Sequence, residues 1–384
     1  MIIKEVKAKD ILDSRKNKTI HIEINTNVGR FSSSAPNGKS TGKFATKIYK
    51  KSLEKDIEIM NKFSDYFSED SIKKFDDLRL IENVVDGHVG ANTIFALESA
   101  ALKALAKELR VEVWEIINNE AKKFPRLVGN CIGGGVHTDS DRHPDFQEFL
   151  LIPDEGSVEK NFEKNKKIKN DVKDYLREKD TKFSGKKNDE DAWMTTLNEK
   201  QVLDVLSKFG VPLGLDIAAS SFYKRGKYTY SNPLLKRDKK EQIGYLSNLI
   251  KNFELFYIED PLEEKDFEGF SDLLKSFKNS LIVGDDLTVT HPKRVKEAAK
   301  KKSMNAMIIK PNQVGSLLEV KRVCELCDKY NIKKVFSHRS GETEETILAD
   351  LAFGFGADFF KCGITSKVRE VKIKRLIEIE KKVL

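Results

Sequence analysis

Six short apolar runs in the later part of the chain each stop at a side chain that can hold an ion or carry a proton. They are PLGLDIAAS at Asp216, LFYIEDPL at Glu259, SLIVGDDL at Asp285, AMIIKPNQ at Lys310, KVFSHRS at His338 and DFFKCG at Lys361. Three carboxylates from successive strand ends, with no Cys or His among them, suit a hard cation such as Mg2+ better than zinc. The plainer reading makes one or two acids helix caps, and Asp286 in GDDLTVTHP is placed for that. A lysine held beside other cations and partly desolvated loses proton affinity, so Lys310 or Lys361 could abstract a proton. His338, Arg339 and Ser340 offer an imidazole, a guanidinium and a hydroxyl to an oxyanion such as phosphate or carboxylate. A solvated polar loop would carry the same letters.

Such side chains meet only if the elements beneath them aim at one place. The six runs read as buried parallel strands separated by helical segments, which implies an α/β barrel or a doubly wound sheet. In a barrel the strand ends share one mouth, where the catalytic residues of such folds gather. Lys333 to Ser337 reads as one of these strands, with a helix expected from about Thr343. The first 35 residues differ: TIHIEINTNVGRFSSSA alternates in strand fashion, with Ile20, Ile22 and Ile24 on one face and a turn at Asn27 to Gly29. From about Lys47 to Leu109 the period is helical, and TIFALESAALKALAKEL carries small residues suited to close packing. The expected organisation is a small α+β domain of β-meander and helices over residues 1–120, followed by an α/β barrel domain over 121–384.

Composition narrows the function classes. With 39% hydrophobic residues and 23 Phe in 384 residues, a large core is available. No apolar run is long enough to span a bilayer, and MIIKEVKAKDILDSR lacks a signal-peptide core, so a cytoplasmic chain beginning at residue 1 is expected. The net charge is +8, but runs such as EKNKKIKNDVKDYLREKDTK mix acids with the lysines and read as solvated helix faces rather than a nucleic-acid stripe. Cys324 and Cys327 sit in LLEVKRVCELCDKY, a helical pattern with no second pair nearby, and read as packing thiols.

The motifs ILDSRKNKT, PNGKSTG, IGGGVH with FQEFLLIP, LGLDIAASSFY, YIEDPL, VGDDLTVTHPKRV, IIKPNQVGS and SHRSGETEETILADL occur in this order from about Ile3 to Gly363. Together the chain resembles the enolase (phosphopyruvate hydratase) family, particularly its archaeal form. The resemblance implies an enolase-type (β/α)8 barrel and a lyase that reversibly dehydrates 2-phosphoglycerate to phosphoenolpyruvate with two Mg2+. It implies Asp216, Glu259 and Asp285 as ligands of the first Mg2+, and Ser40 as a ligand of the second. Lys310 is implied as the base at C2, and Glu190 in NDEDAW as the acid for the departing C3 hydroxyl. His137, Glu148 and His338 would line the pocket, Arg339 and Ser340 would hold the phosphate, and Lys361 would meet the substrate carboxylate. A homo-oligomer, a dimer or larger, is expected, with no membrane or nucleic-acid partner. The alternative is a relative with a changed substrate, or one without catalysis kept as a binding or regulatory protein.

Overall fold

The alternation of Ile20, Ile22 and Ile24 puts one face of a meander in the core, where all three are fully buried. The computed structural model describes residues 1–39, 42, 44–67 and 71–384. The meander is β1 (Ile3–Leu12), β2 (Lys18–Thr26) and β3 (Gly29–Ser34), antiparallel throughout. Helices α1 (Leu53–Lys62), α2 (Leu78–Val85), α3 (Ala91–Leu109) and α4 (Val113–Asn118) complete this unit. In α3 the buried residues Ala96, Ala100 and Ala104 leave little side chain between helix and sheet, so the two pack closely.

The barrel unit follows. Its elements in chain order are β4 (Arg126–Gly133), β5 (Glu148–Leu151), α5 (Val158–Lys179), the short β6 (Trp193–Met194), α6 (Glu199–Leu206) and β7 (Leu213–Asp216). A three-stranded finger comes next, β8 (Tyr223–Lys224), β9 (Lys227–Ser231) and β10 (Leu234–Arg237), and then α7 (Lys239–Phe253). Regular alternation resumes with β11 (Tyr257–Glu259), α8 (Phe267–Ser276), β12 (Leu281–Gly284), α9 (Pro292–Lys301), β13 (Ala306–Ile309) and α10 (Leu317–Tyr330). It finishes with β14 (Lys333–Ser337), α11 (Ile347–Gly354), β15 (Phe359–Lys361) and α12 (Lys367–Val383). Eight strands close on themselves in the order β4-β5-β7-β11-β12-β13-β14-β15, with β15 paired back to β4. Several helices start where a Ser, Asp or Asn side chain takes a backbone N–H of the first turn, as Ser157, Asp238 and Ser316 do.

The six apolar runs form parallel strands as expected, and one expectation is corrected below. A strand outside those runs is reversed: β5 runs antiparallel to both β4 and β7. No crossover helix separates β4 from β5, and a parallel return needs one or a comparably long crossover. The helix expected from about Thr343 begins at Ile347. The residues before it are bound to the first domain instead: Thr343 Oγ1 to Ser34 Oγ at 2.8 Å, and the Glu345 carboxylate to Ser33 Oγ at 2.6 Å and Lys103 Nζ at 2.7 Å.

Inside the barrel the side chains form layers, because residues two apart along a strand face the same way. Val128, Leu150, Tyr257, Val283, Ile308, Val335 and Phe359 belong to one apolar plug. Two residues toward the mouth from each, in the same order, stand Asn130, Glu148, Glu259, Asp285, Lys310, Ser337 and Lys361. Cys324 and Cys327 are buried in α10, and burial pushes the Cys327 thiol up to about 12, which suits packing rather than ligation. Among the described residues no helix is long and apolar enough to cross a membrane.

Candidate active site

The reversed strand explains how a residue at a strand start joins residues at strand ends. Glu148 opens β5 and pairs with Asp216, the last residue of β7, which in turn pairs with Glu259, the last of β11. Lys361 ends β15 and reaches all three carboxylates: Glu259 at 2.7 Å, Asp216 at 2.8 Å and Glu148 at 3.0 Å. Burial disfavours its ammonium, but Asp216, Glu148 and Glu259 outweigh that and hold it firmly protonated. Lys310 meets Asp285 in a close ion pair, which raises the lysine against the effect of burial and lowers the acid.

His338, Arg339 and Ser340 follow β14 and are buried, so the polar-loop reading of this stretch does not hold. Arg339 donates its backbone N–H to Glu342 at 2.9 Å and Nη1–H to Asn312 at 3.3 Å. Gly38 comes over from the first domain so closely that a Cβ there would lie 1.7 Å from Arg339 Nη2, so any side chain would push the guanidinium aside. The neighbouring Lys39 N–H donates to Ser340 Oγ at 2.8 Å. A pocket of about 30 Å³ is lined by these groups together with His137, Glu148, Glu190, Asp216, Asp285, Lys310 and Lys361. Larger grooves exist, one of about 590 Å³ beside the start of α3, but none gathers this buried set. Glu259 contributes from beneath through Lys361. Ser40 lies outside the described residues.

The acid-bearing loop folds on Asn188, whose Oδ1 accepts the N–H groups of Glu190 at 3.0 Å and Ala192 at 2.9 Å. Asp191 sits at φ +66°, a region costly for a side chain other than Gly, Asn or Asp. Its carboxylate turns away from Glu190 to Lys169 at 2.9 Å and Lys187 at 3.1 Å, and to Thr365. Glu190 points into the pocket, with His137 Nδ1 at 3.3 Å and Asn130 Nδ2 at 3.2 Å. Burial opposes its charge, yet His137 above all keeps the carboxyl well below the usual range. Glu148 behaves oppositely: burial, with Glu190 and Asp216 nearby, pushes it well above that range despite Lys361.

Asp216, Glu259 and Asp285 are an all-oxygen set of the kind Mg2+ takes. Glu259 Oε1 and Asp285 Oδ1 are buried with no hydrogen-bond partner, and burial beside Asp216 raises Glu259 to about 8. A cation would relieve that crowding, so the residues fit the ion. Asp286 caps no helix, since His291 holds the N-cap of α9. It belongs instead with Asp260 and Asp285 to a group of three acids whose carboxylate oxygens lie within 4.8 Å of one another. Asp260 accepts the backbone N–H groups of Asp285 at 2.9 Å and Asp286 at 2.7 Å, thereby orienting Asp285.

Several contributors were missed at the level of sequence. Asp260 stood next to Glu259 in YIEDPL, and Asp189 next to Glu190, so adjacency was an available signal. Asn130, Arg369 and Lys372 had none. Arg369 and Lys372 lie on α12, and both are buried behind the His338–Ser340 tip.

These features define a capped α/β-barrel protein whose mouth is equipped for acid–base chemistry on an anionic substrate. Residues 121–384 match the family description "Enolase, C-terminal TIM barrel domain", and residues 3–117 match "Enolase, N-terminal domain". The chain is 34% identical to the enolase of Methanosphaera stadtmanae, covering 100% of this chain and 98% of that one. It is 32% identical to the enolase of Thermoplasma acidophilum over 98% of each. To the enolase of Pyrobaculum aerophilum it is 37% identical, over 76% of this chain and 72% of that one. The chain belongs to the enolase family.

Proposed function

We propose that this protein catalyses the reversible, Mg2+-dependent dehydration of 2-phosphoglycerate to phosphoenolpyruvate, a step of glycolysis and gluconeogenesis, in the cytoplasm and as a homo-oligomer. The observation that carries the reading is one buried pocket lined by Lys310 and Lys361 together with Glu148, Glu190, Arg339 and Ser340. Elimination needs a base at C2 and an acid at the C3 hydroxyl, on opposite ends of one small molecule. Lys310 takes the C2 proton, and Asp216, Glu259 and Asp285 would hold the first Mg2+. Glu190 passes a proton, drawn from the neighbouring His137, to the departing hydroxyl, which leaves as water. Arg339 and Ser340 hold the phosphate, and Lys361 meets the substrate carboxylate. When bound, Mg2+ supplies positive charge that stabilises the negative charge developing on that carboxylate.

The test follows the two half-reactions. In D2O with Mg2+ the parent should both exchange the C2 proton of 2-phosphoglycerate and form phosphoenolpyruvate. Glu190→Gln should block dehydration and keep exchange measurable, because the C2 proton is removed by a different group. Exchange without dehydration in the parent would point to a changed substrate. Neither process in the parent, at saturating Mg2+, excludes the reading.

A further inference from the structure

Glu190 lies between two imidazoles whose remaining contacts are opposite in kind. His137 turns Nδ1 to acids alone: Glu190 at 3.3 Å and Asp189 at 3.6 Å. His338 presents Nε2 to Glu190 at 3.8 Å, while its Nδ1 accepts the Nε–H of Arg369 at 3.1 Å. Arg369 comes from the first turn of α12, is 1% exposed, and also donates to the Ser340 carbonyl at 3.1 Å and to Ser366 Oγ at 3.2 Å. Among the described residues, all three hydrogen bonds of its guanidinium go to neutral groups.

A guanidinium has only donors and stays protonated in proteins. The Nδ1 lone pair of His338 must therefore face it, and the ring proton is left on Nε2. A second proton would set N–H against N–H in a buried site, with a donor left unpaired. The charged groups around the ring act the same way: Glu190 on its loop faces Lys361 of β15 and Arg369 and Lys372 of α12, three cations against one carboxylate. Lys372 braces the same strand tip, donating to the Thr343 carbonyl at 2.7 Å and pairing with Glu342 at 2.9 Å.

We propose that Arg369 is a positioning residue that locks His338 as the neutral Nε2–H tautomer, so that His338 serves Glu190 and the substrate only as a hydrogen-bond donor. His137 is then the imidazole that exchanges protons with Glu190. The kinetic arm of the test rests on the dehydration reading above; the spectroscopic arm does not.

In protein carrying 15N-labelled histidine, with His338→Gln used for assignment, the parent His338 should show a bare Nδ1 and a protonated Nε2. This pattern should hold across about pH 5 to 8, the range in which an ordinary histidine changes charge. In Arg369→Met both tautomers should appear and the ring should begin to titrate. That variant should lose about 10- to 100-fold in dehydration while C2 exchange stays within about threefold, and Arg369→Lys, which restores one donor, should recover part of the loss. A parent His338 protonated on Nδ1, or an Arg369→Met spectrum identical to the parent in tautomer and pH response, overturns the proposal. If Arg369→Met does not fold, the parent spectrum and that of Arg369→Lys decide. An inactive parent with the expected tautomer supports the positioning role and counts only against the dehydration reading.

Discussion

The floor and the mouth of the barrel are built from the same strands, two residues apart, and obey opposite rules. On β13, Ile308 is sealed in an apolar plug, while Lys310 sits in an ion pair with Asp285. On β15, Phe359 lies in the plug and Lys361 among three carboxylates. Apolar burial stabilises without needing partners. A buried charge is tolerated only while others compensate it, which is costly for stability and useful for chemistry. The closed sheet lets one element do both, because its pleat carries the chain from one layer to the next without changing direction.

The sharpest way to break this comparison is to truncate both ends of one strand. Lys310→Ala should abolish C2 proton exchange and cost on the order of 10³-fold or more in turnover, and it should lower the melting temperature as well, because Asp285 loses its counter-charge. Ile308→Ala should cost stability alone, about 2–5 kcal/mol in denaturant titration, while the folded fraction keeps its turnover. Exchanged outcomes would mean that the layers are not divided as described. A smaller effect tests compensation at the mouth: Mg2+ at 100 times its dissociation constant should stabilise the parent by about 2.7 kcal/mol, read as a rise in melting temperature. Asp285→Asn should remove that rise, and an unchanged Mg2+ response would sink the ligand assignment. The smallest effect belongs to the rim. Arg339→Lys keeps the charge but loses the planar fork, so kcat/KM should fall about tenfold, roughly 1.4 kcal/mol, with the fold intact. If that variant works as the parent does, the phosphate is held elsewhere.

How far these residues could be read in advance depends on whether their signal is local. Buried strands announce themselves as short apolar runs, so β7 and β11 to β15 were legible, along with the polar residue at the end of each. The meander and α3 were legible from periods of two and 3.6. The direction of β5 was not, because a strand's own letters carry no information about which way its neighbours run. The late start of α11 was hidden for a related reason: Thr343 and Glu345 are engaged by Ser34, Ser33 and Lys103, more than 200 positions away in the chain.

The sequence by itself determined the layered strands, the two domains' character and the set of acids, lysines and strand-tip donors, since each follows from residue type and spacing along a short stretch. The tertiary structure alone decided what state those groups are in. Glu148 and Glu190 are both glutamates, yet one is pushed up by burial beside carboxylates and the other is held down by His137. His137 and His338 are both histidines, yet Asp189 and Glu190 raise the first while Arg369 occupies the second ring's Nδ1. Proton affinity is set by charges and donors within a few ångströms in space, and chain order says little about which ones those will be.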